Sequence, residues 1–214
     1  MATAPAVEVR PSQRGMLCVY GFVASLLGGG LWVLLVPAAR AWPVVAFASS
    51  VVALMGTSAL YHRVDWSPAW YARIRRLDHA MIFVLITGTE LPLFLLALRG
   101  RGVEAYFAFA LAAAGAGFLI TMLWVGAPKW VRTVVYIAVG WSSFPVIAHL
   151  YDALGASGLG LLLLGGGLYS VGGVAYGMKW PNPIPGHFGY HEVFHAFVLA
   201  AVGCHYAVVA FWVL

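Results

Sequence analysis

Charge is what this sequence has least of. Asp, Glu, Lys and Arg make up 9% of its 214 residues, against about 25% in an ordinary soluble domain. So few charges cannot cover a water-facing surface. This excludes a soluble globular enzyme, and equally a secreted toxin that must dissolve before it inserts. Twelve basic residues outnumber seven acidic ones, giving a net charge of +5. They are scattered over short loops rather than massed in a patch, which excludes nucleic acid as a partner and makes the excess a topology signal. Cysteine is scarce as well. Cys18 and Cys204 alone give no disulfide framework, and Cys204 reads as a small hydrophobe inside a membrane helix. The first fifteen residues are polar or small and the apolar run behind them is long enough to span, so no cleavable signal peptide is expected. No internal repeat is evident.

What the chain has is apolar length. Hydrophobic residues make up 63% and the mean hydropathy is +0.90. The pattern predicts an all-α, polytopic integral membrane protein: a flexible cytoplasmic tail over residues 1–15, then a single domain, 16–214, of seven transmembrane helices. The expected spans are 16–36, 42–61, 78–98, 103–125, 133–150, 159–178 and 190–214. At 1.5 Å per residue each suits a hydrocarbon core of about 30 Å. Pro37, the run Arg99-Gly100-Arg101-Gly102, and the breakers Pro181, Pro183, Pro185 and Gly186 mark loops. The sixth span is rich in glycine (165–167, 172, 173), which lets helices approach closely. With the N-terminus inside, nine basic residues (Arg10, Arg14, Arg63, Arg73, Arg75, Arg76, Lys129, Arg132, Lys179) face the cytoplasm and three (Arg40, Arg99, Arg101) face out. The positive-inside rule therefore puts the C-terminus outside. Trp42, Tyr61, Trp130, Tyr151 and Trp180 fall near span ends, as an interfacial belt requires.

Against this background the polar residues are conspicuous. His191 and His195 are four apart, on one face of the last helix, where both imidazoles reach one metal ion. In the seven-span arrangement the second span ends at His62 and the third begins at Asp78, at the same depth near the cytoplasmic leaflet. Three imidazoles with a carboxylate or water suit tetrahedral zinc, and three protein ligands with an open fourth position mark a catalytic zinc. Ser58, four residues before His62, points to the same side. Each residue also has a plainer reading. The histidines can bond backbone or headgroups, Asp78 can cap the third helix, and Ser58 can bond its own helix carbonyl. His79 is turned about 100° from Asp78 and reads as a packing or interfacial residue. His187 reads as a loop residue, and His149 and His205 as satisfied polar groups toward the outer half. Glu90 lies well inside the bilayer, either as a hydrogen-bonded neutral acid or as a group lining a cavity.

Ser58-Ala59-Leu60-Tyr61-His62, Leu77-Asp78-His79 and His191-Glu192-Val193-Phe194-His195, in this order and with a Trp-Pro-rich loop before the last span, resemble the hemolysin III branch of the progestin and adiponectin receptor family over nearly the whole chain. The resemblance implies zinc held by His62, His191 and His195. It implies that Asp78 holds or polarises the water at the metal and that Ser58 lines the site. It also implies kinship with membrane hydrolases that cleave lipid amides such as ceramide. One segment departs: where bacterial relatives tend to read Gly-Thr-Tyr-Thr-Pro, this chain has Gly88-Thr89-Glu90-Leu91-Pro92.

The expectation is therefore a zinc-dependent hydrolase of the bacterial plasma membrane, acting on a lipid amide or ester. The same zinc can instead be structural, in a receptor or sensor of membrane state that takes lipid as ligand. His191 to His195 also reads H-E-x-x-H, the zinc metalloprotease motif with Glu192 as base. That reading leaves Ser58, His62 and Asp78 without a shared purpose; Glu192 can equally orient a ligand from behind.

Overall fold

The computed structural model describes residues 11–124 and 126–214, without the side chain of Val33. Among the described residues the regular structure is helical throughout. Helices α1 (Met16–Ala24) and α2 (Gly30–Leu35) are joined by a π-helical turn, Ser25–Gly29. Then follow α3 (Ala38–Arg63), α4 (Pro68–Pro92), α5 (Glu104–Leu123), α6 (Lys129–Gly140), α7 (Ile147–Met178) and α8 (Tyr190–Val208). Five apolar stretches are long enough to cross a membrane: Ala38–Arg63, Pro68–Ala97, Glu104–Leu123, Lys129–Met178 and Tyr190–Val213. A shorter apolar stretch, Met16–Trp32, precedes them. The outward faces are as apolar as the core. Leu34, Leu123 and Phe211 are each about four-fifths exposed (82%, 80% and 79%), which suits a lipid solvent and no other.

The 50-residue stretch Lys129–Met178 is not one straight rod. The Thr133 hydroxyl donates to the Gly173 carbonyl and the Trp141 indole N–H to the Ser170 hydroxyl, so α6 runs antiparallel to the later part of α7. The chain reverses between these contacts, and the one non-helical residue inside α7 is Gly155, at φ 67° and ψ 179°. Only glycine adopts that conformation readily.

Close helix approach follows from glycines spaced seven apart. A Cβ at Gly158, Gly165 or Gly172 on α7 would meet Trp212, His205 or Phe197 of the last helix within 2.4–2.8 Å. These three residues form one smooth strip against which α8 lies, as small residues allow in a membrane. The core between α3, α4, α7 and α8 is filled by Phe47, Val51, Met55, Leu85, Val198 and Val202.

Two expected boundaries change. The expected spans 42–61 and 78–98 leave residues 68–77 as a polar loop, yet α4 begins at Pro68, with Ser67 at its N-cap. Pro at the first helical position fits this start, and the arginine-bearing turns extend the helix beyond its apolar part. Of the expected tail, residues 1–10 lie outside the described residues. Residues 11–15, by contrast, are anchored: the backbone N–H groups of Ser12 and Gln13 donate to the carbonyls of Gly186 and His187.

Candidate metal centre

His62 sits in the last turn of α3, and His191 and His195 in the first two turns of α8. All three are buried, at 5%, 8% and 6% exposure. One ring nitrogen from each lies within 4.8 Å of the other two, and the Nε2 atoms of His62 and His191 are 2.9 Å apart. Ring centroids are 4.6 Å (62–191), 4.7 Å (191–195) and 5.5 Å (62–195) apart. Tetrahedral zinc with Zn–N of 2.0–2.1 Å places its nitrogens about 3.3–3.4 Å apart, a little more than the 2.9 Å between His62 and His191 and inside the 4.8 Å that bounds the cluster. Nε2 of His195 is buried and has no hydrogen-bond partner, an unmet acceptor of the kind a cation satisfies. The donor set therefore fits one divalent ion, and three neutral imidazoles suit zinc.

A cavity of about 190 Å³ opens beside this cluster. Ser58, Asp78, His191 and His195 all line it. Asp78 lies ten residues beyond the start of α4. The helix-cap reading of this residue therefore fails, and its burial at 9% exposure requires side-chain partners. Ser58 supplies one hydrogen bond to its carboxyl. The Cys18 thiol, fully buried, donates to the Ser58 Oγ at 3.4 Å. Nothing in the sequence pairs Cys18 with Ser58, since they sit on different helices.

His79 also reaches the cavity. Its Nδ1 is bonded to the Arg75 carbonyl, and its Nε2 lies 3.2 Å from the Tyr176 hydroxyl. His187 stays in the loop as expected, its Nδ1 2.6 Å from the Ser12 hydroxyl. Glu90 lines the far part of the cavity and accepts from Ser142 and Ser143.

Glu192 turns away from the cavity. It is 1% exposed, its Oε2 accepts from the Gly189 N–H at 2.8 Å, and its Oε1 meets Arg14 Nε at 2.7 Å. It thus closes the first turn of α8 and neutralises Arg14. A general base for the metalloprotease reading would have to face the reacting atoms.

Over most of its length the chain is similar to known proteins. The sequence profile described as "Haemolysin-III related" matches residues 9–206. The "Hemolysin-3 homolog" of Bacillus subtilis (strain 168) is 31% identical over 175 residues, covering 80% of this chain and 79% of its own length. "Hemolysin-3" of Bacillus cereus is 35% identical over 138 residues, 64% of this chain and 60% of its own length. With these bacterial relatives and its apolar helices, the protein is an integral membrane protein of the bacterial plasma membrane. The chain belongs to the haemolysin III family, within the progestin and adiponectin receptor superfamily.

Proposed function

We propose that this protein is a zinc-dependent hydrolase that cleaves an amide or ester bond of a membrane lipid. Its site would lie near the cytoplasmic face of a seven-span bundle whose N-terminus is inside. In this count the shorter stretch Met16–Trp32 contributes the first span. The stretch Lys129–Met178 contributes two, divided at Gly155. The observation that carries the reading is the convergence of three buried imidazoles, two of them lining an apolar cavity that also holds a buried carboxylate.

His62, His191 and His195 would hold the ion beside the cavity. When bound, zinc supplies a Lewis acid that polarises a carbonyl and makes water acidic enough to attack near neutral pH. The chain supplies the rest. Asp78 accepts the proton of the attacking water at its carboxylate oxygen and returns it to the departing amine nitrogen or alcohol oxygen as the acyl bond breaks, and a positioned acid–base group of this kind contributes roughly 10²–10⁴-fold. Ser58, held from behind by Cys18, keeps that carboxylate aimed. The apolar cavity wall takes the hydrocarbon chain and excludes bulk water. Residues 11–15 and the Arg14–Glu192 pair pack beside the histidines: Gly15 is in contact with His62, and a Cβ there would stand 2.4 Å from that of His62.

The test is turnover by the purified protein of a panel of ceramides and phospholipids with labelled acyl chains, with and without a chelator. Release of the labelled acid that stops with chelator and returns with zinc supports the reading. Stoichiometric zinc without turnover of any member would instead favour a receptor or sensor in which zinc ties α3 to α8.

A further inference from the structure

The cavity has polar groups at two levels. One is the level of the histidines and Asp78. Between the levels the lining is mostly apolar, with Ile82, Leu85 and Ile86 of α4, Ile137 of α6, and Phe194 and Val198 of α8; the Ser170 hydroxyl there is already taken up by the Gly166 carbonyl and the Trp141 indole. At the far level stand Glu90, Ser143 and His205. Glu90 lies twelve residues beyond Asp78 on α4, about 18 Å along the axis, and His205 ten residues beyond His195 on α8, about 15 Å. These rises place the far groups near the middle of a bilayer core about 30 Å thick.

The far level is built but not complete. Glu90, 5% exposed, accepts from the Ser143 hydroxyl at 2.8 Å and the Ser142 hydroxyl at 3.2 Å, both through Oε1. Its Oε2 is buried and has no partner. His205, 6% exposed, places Nε2 3.4 Å from the Leu162 carbonyl while Nδ1 has no partner. At mid-membrane, water is not at hand to satisfy such atoms, and leaving them bare is costly. A bound group that can both donate and accept would satisfy Oε2 whether or not the carboxyl carries a proton. A hydroxyl is the smallest such group.

We infer that the cavity ends in a second polar site, built by Glu90, Ser142, Ser143 and His205, which receives a hydroxyl carried at the far end of the substrate's hydrocarbon chain. This rests on the reading of the cavity as the place of a lipid chain. It narrows the substrate class to lipids whose acyl chain is hydroxylated remote from the carbonyl. An extended chain of roughly 14 carbons covers the axial separation of about 18 Å.

The test is binding to the full-length, zinc-loaded protein in detergent. The probes are saturated fatty acids of roughly 12 to 16 carbons, each with and without a terminal hydroxyl. One added hydrogen bond should tighten binding of the hydroxylated acid roughly 2- to 12-fold, with a maximum at one chain length. Glu90→Leu should erase or reverse this preference and leave the zinc content unchanged, while Glu90→Gln should keep part of it. If Glu90→Leu does not fold, the double variant Ser142→Ala, Ser143→Ala reads the same site. Equal affinity for both acids in the wild type, or a preference undiminished in the folded variants, would overturn the inference. Hydrolysis is measured separately: a hydroxyl preference without turnover counts against the hydrolase reading alone, and turnover without the preference against this site alone.

Discussion

Arg14 Nε and Glu192 Oε1 are 2.7 Å apart, with the carboxylate 1% exposed and the arginine side chain 16%. The charges touch without an aligned hydrogen bond at these two atoms. The pair links the chain just ahead of α1 to the first turn of α8, directly behind the histidines. Arg14→Ala leaves a carboxylate buried without its cation and should cost about 2–3 kcal/mol, the cost for a fully buried pair being discounted because Arg14 keeps some solvent. Glu192→Gln should lower the melting temperature but leave zinc and hydrolysis within roughly threefold of wild type, the cost of lost support rather than lost chemistry. Loss of hydrolysis beyond about 10²-fold with zinc retained would make Glu192 the base.

Asp78 should separate metal binding from turnover. Asp78→Asn keeps shape and hydrogen bonding to Ser58 but cannot accept the water's proton. Hydrolysis should fall by roughly 10²–10⁴-fold with zinc stoichiometry unchanged. Unaltered hydrolysis would remove Asp78 from the mechanism.

The glycine strip of α7 makes a prediction about packing near the site. A Cβ at Gly172 would lie 2.8 Å from Phe197 Cβ and 3.5 Å from the Phe194 carbonyl oxygen, neither of which is a flexible tip. Gly172→Ala should therefore destabilise by about 1–3 kcal/mol and loosen the seat of His195. Gly203, where a Cβ would meet nothing within 4 Å, is the control. Gly203→Ala should be neutral or slightly stabilising, because alanine favours the helix by about 1 kcal/mol. Thermal unfolding in detergent compares the two.

Orientation can be tested with reporters fused after Leu214. An odd number of spans with the N-terminus inside puts this end outside, so a reporter active only outside the cytoplasm should be active there and a cytoplasm-only reporter silent. The opposite pattern would refute the seven-span, N-in topology.

The histidines were the most legible part of the site. The spacing of His191 and His195 follows from helix periodicity alone, and span depth brings His62 to them. Membrane exposure was legible in composition for the same reason that the fold is simple: a chain so poor in charge has one solvent available to it. The rest depended on tertiary contacts. The arginines at 73, 75 and 76 read as loop because helices were identified by apolar length, whereas α4 continues past its apolar part. This is why the cap reading of Asp78 looked reasonable. The partners of Glu90 were hidden because the fifth span read as continuous, while the helix breaks at residues 141–143, and the break is what turns Ser142 and Ser143 toward the carboxylate. Arg14 read as part of a mobile tail because a cation shows its buried partner only once the chain has folded.

The central claim is that His62, His191 and His195 hold one metal ion together. The most direct measurement is zinc content per protein molecule in purified wild type beside His62→Ala, His191→Ala and His195→Ala, each checked for folding by circular dichroism. The account predicts close to one zinc in the wild type and a large loss in each folded variant. Stoichiometric zinc retained in folded His191→Ala, or a folded wild type that takes up none, would contradict it.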